Sequence, residues 1–216
     1  MNTIYGVAPS PFVRKVLLAH AYKNIPFEIQ HTFPGSEDEE FRQMSPLGKI
    51  PAYKSDTGVA FSDSSVIIAY LERMSNIKPL YPSDNDNYAL ALWLEEYADT
   101  KMMEATGALY FQRIIGPKFF SKEIDQERVT ELTTQLIPET LNFIEGKLQD
   151  NKWILGDDIT VADLSIGTNL VNLYHADFSI DKNLWPKLAA YNERFLALDM
   201  VKAQIETERN VFNSAA

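Results

Sequence analysis

The chain has no cysteine among its 216 residues. A disulfide framework, a thiolate metal site and a mechanism with a protein cysteine as nucleophile are therefore excluded. Basic residues are also in short supply, with 20 Lys and Arg against 30 Asp and Glu and a formal charge of −10. That balance disfavours nucleic acid and anionic membrane surfaces, and neither is expected as a partner. Long hydrophobic runs are missing: stretches such as Val66 to Leu71 fall far short of the roughly 20 residues a bilayer core requires. The N-terminal residues carry no basic cluster followed by an apolar stretch, so the expected location is the cytoplasm. No GxGxxG or GxxxxGKS/T pattern is available to cradle phosphates. His20, His31 and His175 show no metal-ligand spacing, and no metal is expected.

What is present is ample apolar content, 45%, and a change of character near residue 80. Before it, short apolar runs alternate with Pro and Gly. Thr3 to Tyr5 reads as a strand. Ser10 and Pro11 then open a helix with Phe12, Val13, Val16, Leu17 and Ala21 on one side, stopped at Asn24. A strand is expected over Phe27 to Phe33, a short helix over Glu37 to Met44, and a hairpin over Ala52 to Lys54 and Val59 to Phe61. Asp63 or Ser64 caps the last helix of this part. The order is β-α-β-α-β-β-α.

Beyond the turn-rich Pro79 to Asn87, strand signals stop. One helical pattern runs from Tyr88 to Ile115, ended by Gly116-Pro117, and a second from Glu123 to Gln149, bent or restarted at Pro138. Thr160 to Tyr174 is a third, and Leu184 to Ile205 divides near Asp199. The domains are therefore placed at 1–79 and 87–216, joined by 80–86. Residues 1–79 hold 8 acidic and 8 basic side chains and residues 80–216 hold 22 and 12, so all the net acidity lies on the helical part.

Three short segments can carry chemistry. Ser10-Pro11-Phe12-Val13 sits at a strand-to-helix junction, where free amides and a partial positive charge stabilise an anion, a thiolate included. Taken alone it is an ordinary helix start. Gly48-Lys49-Ile50-Pro51-Ala52 leads into a strand; a cis bond before Pro51 would turn the Ile50 amide and carbonyl outward to pair with an extended ligand, although X-Pro bonds are cis in only about 5–6% of cases. Asp63-Ser64 opens a helix whose amides and hydroxyl suit a carboxylate, with the Asp63 carboxylate suited to an ammonium. Each pattern by itself is equally a capping device.

In combination these segments resemble the cytosolic glutathione S-transferase family. The resemblance is carried by SPFVRKV after the first strand, SPLGKIP before the third and FSDSSVIIAYL opening the third helix. It extends into the helical part through Gly156-Asp157-Asp158-Ile159-Thr160-Val161-Ala162-Asp163, a helix start in which Thr160 caps and Asp163 reaches back as a variant capping box. The similarity is to serine-type, bacterial, tau- or phi-like members. It implies a thioredoxin-like α/β domain followed by an all-helical domain. It also implies a cytoplasmic, homodimeric detoxification enzyme that uses glutathione as co-substrate.

Residue by residue, the resemblance implies that the Ser10 hydroxyl faces the glutathione sulfur and Lys49 meets the glycyl carboxylate. Ile50 would pair through its backbone with the cysteinyl moiety before a cis Pro51, and Asp63 and Ser64 would hold the γ-glutamyl end. Where related folds carry cysteines, this chain has Ser10 and Val13, so glutathione must supply the thiol. Lowering a thiol pKa from about 8.5 to about 7 raises the thiolate fraction at pH 7 roughly 16-fold, but the less basic sulfur is about fivefold less nucleophilic. Most acceleration must then come from holding an apolar electrophile against the sulfur. Phe12, Met103 and Tyr110 are the candidates to line its pocket. Tyr5 is the alternative catalytic residue if Ser10 is not. A side peroxidase activity, a glutathione-dependent isomerase or dehalogenase, and a non-catalytic ligand-binding or regulatory protein remain the other readings of the same fold.

Overall fold

The structure, a computed structural model, describes residues 1–214. The chain divides into two compact units, Met1–Leu80 and Tyr81 onward.

The first unit runs β1 (Asn2–Gly6), α1 (Pro11–Lys23), β2 (Phe27–His31), α2 (Glu39–Met44), β3 (Ala52–Lys54), β4 (Ala60–Ser62) and α3 (Ser64–Met74). Its four strands lie in the order β2-β1-β3-β4. β2 is parallel to β1, as a helical crossover through α1 requires, while β3 and β4 are antiparallel neighbours. Contacts from adjacent residues separate the two faces of the sheet. Tyr53 packs its ring against His20 of α1 and Tyr70 of α3, whereas the next residue, Lys54, reaches Glu40 of α2. α1 and α3 thus cover one face, with Ile4, Val16, Ile67 and Leu71 among its buried side chains, and α2 lies on the other.

Local chemistry accounts for the ends of these elements. Asn24 stops α1 in the left-handed conformation that asparagine tolerates, its amide donating to Ala21 and His20 carbonyls. α2 starts at Glu39 rather than Glu37, because the Asp38 carboxylate accepts from the Phe41 amide at 2.8 Å and is the N-cap. β2 ends at His31, short of the expected Phe33: its partner β1 is exhausted at Gly6, and Thr32 turns its hydroxyl back to the Gln30 carbonyl.

The second unit is all-helical. α4 (Asn85–Tyr97), α5 (Met103–Tyr110) and α6 (Gly116–Phe120) follow one another with π-helical stretches at Ala98–Met102 and Phe111–Ile115 between them. α7 (Gln126–Glu131) and α8 (Ile137–Lys147) are joined in the same way through Leu132–Leu136. α9 (Val161–His175), α10 (Pro186–Leu196) and α11 (Asp199–Ser214) complete the unit. The division near Asp199 is as expected.

Gly116-Pro117 does not end the long helix, which continues to Phe120. The reason is the π stretch before it. The Gly116 amide donates to the Phe111 carbonyl, five residues back, and the widened turn accommodates a proline ring that a regular α-turn would reject. Pro138 uses the same device: the Ile137 amide donates to Leu132 and the helix restarts there. α10, which lacks a cap of its own at Trp185, receives one from α8, where the Glu145 carboxylate accepts from the Lys187 and Leu188 amides at 3.1 and 2.7 Å. A thioredoxin-like α/β domain followed by an all-helical domain is therefore the architecture.

Candidate functional site

Strand register brings the three chemistry-bearing segments to one end of the sheet. Tyr5 pairs with Ala52, and Ala52 pairs with Ser62. This row is close to the C-terminal end of β1, at the start of β3 and at the end of β4. The chain leaves it toward Ser10 on one side, arrives at it through Ile50-Pro51 in the middle, and leaves it into Asp63 on the other. Residues separated by about fifty positions in sequence become neighbours along one edge.

Ser10 is the N-cap of α1, extended at φ −72° and ψ 126°, with its hydroxyl oxygen accepting from the Val13 amide at 3.4 Å. A hydroxyl that accepts in this way retains its proton for donation. Pro11 occupies the first helical position, where its missing amide costs nothing. The Ile50-Pro51 bond is cis. Neither the Ile50 amide nor its carbonyl makes a backbone hydrogen bond among the described residues, although the side chain is buried. The loop before it is held from behind: the Ser45 hydroxyl donates to the Lys49 carbonyl at 2.7 Å, and Gly48 adopts φ 64° at a place where a β-carbon would run into the Arg42 guanidinium. The Lys49 side chain is exposed.

Asp63 is the N-cap of α3, and its Oδ1 accepts from the Ser65 and Val66 amides at 2.9 and 3.4 Å. Its φ of 83° is unfavourable for an L-residue with a side chain. Conformations of this kind cost roughly 1–3 kcal/mol and persist where the surroundings hold them. The carboxylate is exposed and Ser64 beside it is buried. This edge therefore offers two helix N-termini, an unpaired strand-like backbone segment, a hydroxyl donor and one carboxylate. Such a set can pair with an extended backbone, an anion at a helix start and a cation at the carboxylate.

Tyr5 lies apart from this set. Its phenol is within 3.5 Å of Glu40, whose carboxylate also holds Lys54 at 2.6 Å, on the α2 face. Burial, and then the Glu40 charge, raise its pKa above the ordinary tyrosine value. Phe12 is half-buried at the second position of α1.

In the helical unit, Met103 is half-buried, with Asn172 Nδ2 3.6 Å from its sulfur. Tyr110 is 2% exposed, its ring against His175 and Phe212. The Arg113 guanidinium donates to the Ala176 and Asp177 carbonyls at the end of α9. Asp163 does reach back to the Thr160 amide, at 2.8 Å. Its carboxylate also accepts from the Thr160 hydroxyl, the Ile154 amide and the Tyr191 hydroxyl. Burial pushes the Asp163 carboxyl upward, and these four donors oppose the shift. No cluster of three or more His, Asp or Glu able to hold a metal exists among the described residues.

Two contributors escaped sequence reading. Lys15 is fully buried, with Nζ 3.2 Å from the Ser65 hydroxyl; a lysine one residue from an arginine reads as surface, and no local signal marks it otherwise. Tyr191 lies 28 residues from its partner Asp163, beyond any local pattern.

Family models for the glutathione S-transferase N-terminal domain and C-terminal domain match residues 4–79 and 110–208. The chain belongs to the glutathione S-transferase family. A mouse maleylacetoacetate isomerase is 26% identical over 91% of this chain and 88% of its own length. A brine-shrimp (Artemia salina) elongation factor 1-gamma is 27% identical over 74% of this chain but only 36% of its own. Among solved structures, a glutathione S-transferase from Methylobacterium radiotolerans in complex with glutathione sulfonate is 26% identical with a TM-score of 0.74, covering 94% of each chain.

Proposed function

We propose that the protein is a glutathione transferase that conjugates the glutathione thiolate to an apolar electrophile. The observation that carries this reading is the unpaired backbone of Ile50 before the cis Pro51, lying at one end of the sheet between two capped helix N-termini. Glutathione extended there pairs its cysteinyl amide and carbonyl with Ile50. Its γ-glutamyl end meets Asp63 and Ser64, the carboxylate on the Ser64 amide and hydroxyl and the ammonium on the Asp63 carboxylate. Lys49 faces the glycyl carboxylate.

The sulfur then points at the start of α1. There the Ser10 hydroxyl donates a hydrogen bond to it and the helix dipole favours its ionised form. Ionisation alone gives a net gain of about threefold, so the larger part of the rate comes from holding the electrophile in line with the sulfur. Phe12 on α1 and Met103 in the helical unit, both half-buried, remain the apolar residues assigned to that task, whereas Tyr110, 2% exposed with its ring against His175 and Phe212, packs the helical core. The same reading carries the cytoplasmic location, the homodimer and a detoxification role.

Calorimetric titration with glutathione, followed by conjugation assays on an electrophile panel with wild type and Ser10→Ala, tests the proposal. Binding that survives in the variant, with conjugation at saturating glutathione reduced at least about tenfold, is the expected result. Unchanged conjugation moves the thiolate contact away from Ser10. The maleylacetoacetate isomerase relative motivates one further assay: turnover of a cis-configured enone-type acid without net glutathione consumption would replace conjugation with isomerisation at the same edge.

A further inference from the structure

The strained start of α3 is held from beneath by a residue that belongs to α1. Lys15 is 0% exposed, and its ammonium donates to the Ser65 hydroxyl at 3.2 Å. The Ser65 amide in turn donates to Asp63 Oδ1 at 2.9 Å. A continuous path, Lys15 to Ser65 to Asp63, therefore links the helix that Ser10 opens to the helix that Asp63 opens. It ends on the one residue of this edge whose φ, 83°, must be imposed by its surroundings.

We propose that Lys15 is a positioning residue that acts through Ser65. It fixes the Asp63-Ser64 corner in the conformation that receives the γ-glutamyl end of glutathione, an inference that rests on the function proposed above. A charge-assisted hydrogen bond to Ser65 fixes the first turn of α3, so that the Ser64 amide and the Asp63 carboxylate are ordered before the ligand arrives. Lys15 itself touches neither the sulfur nor the electrophile in this scheme, so its removal acts on binding and leaves the chemical step alone.

Lys15→Met, Ser65→Ala and the double variant test this. The KM for glutathione is expected to rise about tenfold in Lys15→Met, with kcat at saturating glutathione within about twofold of wild type. The double variant is expected to be no worse than Lys15→Met, because both substitutions cut one path. A purely structural lysine would lower Tm and leave KM where it was. Amide hydrogen exchange at Ser65 and Val66 in the ligand-free protein reads the same path without glutathione, and about tenfold faster exchange is expected in both single variants. Wild-type exchange rates in Ser65→Ala, or effects that simply add in the double variant, overturn the positioning role. If the wild-type chain does not bind glutathione at all, the proposed function and the ligand half of this inference both fail. Faster exchange in the variants would then still uphold the Lys15–Ser65–Asp63 path.

Discussion

Two aspartates, Asp63 in the α/β unit and Asp163 in the helical unit, both organise the start of a helix, and they do so in opposite environments. Asp163 is fully buried and its carboxylate takes four donors, from Ile154, from both groups of Thr160 and from Tyr191. Asp63 is exposed, sits at a φ that its side chain disfavours, and commits one oxygen to the α3 amides. The same capping chemistry serves stability where every lone pair is used inside the protein. At Asp63 part of the hydrogen-bonding capacity still faces outward, which suits the recognition role proposed above.

The sharpest way to break this contrast is Asp163→Ala, which leaves two backbone amides, a threonine hydroxyl and a tyrosine hydroxyl without their common acceptor. A loss of about 3–5 kcal/mol in denaturant unfolding is expected. A loss below about 1 kcal/mol would show that the network is dispensable.

The α/β unit carries a buried group of its own in His20. Burial lowers its pKa from 6.5 to about 4, while its bond to the Ile25 carbonyl opposes the shift. Because the folded chain resists the proton that the unfolded chain accepts, this contribution to stability is complete above pH 6.5. It is lost as the pH falls, by about 3 kcal/mol at pH 4. Unfolding curves of wild type and His20→Leu between pH 7 and 4 check this. The part of the slope that is absent from the variant is the histidine's share, and parallel curves would remove it.

Ser10→Ala should cost only about 1 kcal/mol of stability, since its cap bond to Val13 is long and solvent competes for it. Its effect on conjugation should be far larger than its effect on folding, the reverse of Asp163→Ala. Asp63→Asn is the mildest change. Asparagine keeps the cap and tolerates positive φ, so stability should stay within about 0.5 kcal/mol. Affinity for glutathione should nevertheless fall about tenfold through loss of the charge that meets the ammonium. Unaltered affinity by titration would detach Asp63 from the ligand.

Much of this molecule was readable from local patterns. Ser10-Pro11, Asn24 and Thr160 with Asp163 mark helix ends because capping depends on residues within one turn, and the structure places caps there. The β-α-β-α-β-β-α order followed from hydrophobic periodicity punctuated by Pro and Gly. The candidate site was legible as three separate segments, each of which alone described a helix or strand start. The continuation past Pro117 was not legible, because a proline is read against regular α-geometry while the chain inserts a π turn before it.

By itself, then, the sequence determined which residue types stand at each element boundary and that no protein thiol takes part in the chemistry, since these depend on composition and near neighbours. Only the tertiary structure decided which boundaries meet. The pairing of Tyr5 with Ala52 and of Ala52 with Ser62 brings Ser10, Ile50 and Asp63 to one edge. The packing of α1 on α3 buries Lys15 against Ser65, and Glu145 of α8 supplies the cap that α10 lacks. Hydrogen bonds and burial between residues distant in the chain form only when strand register and helix packing close the intervening loops, and no short window of sequence contains both partners.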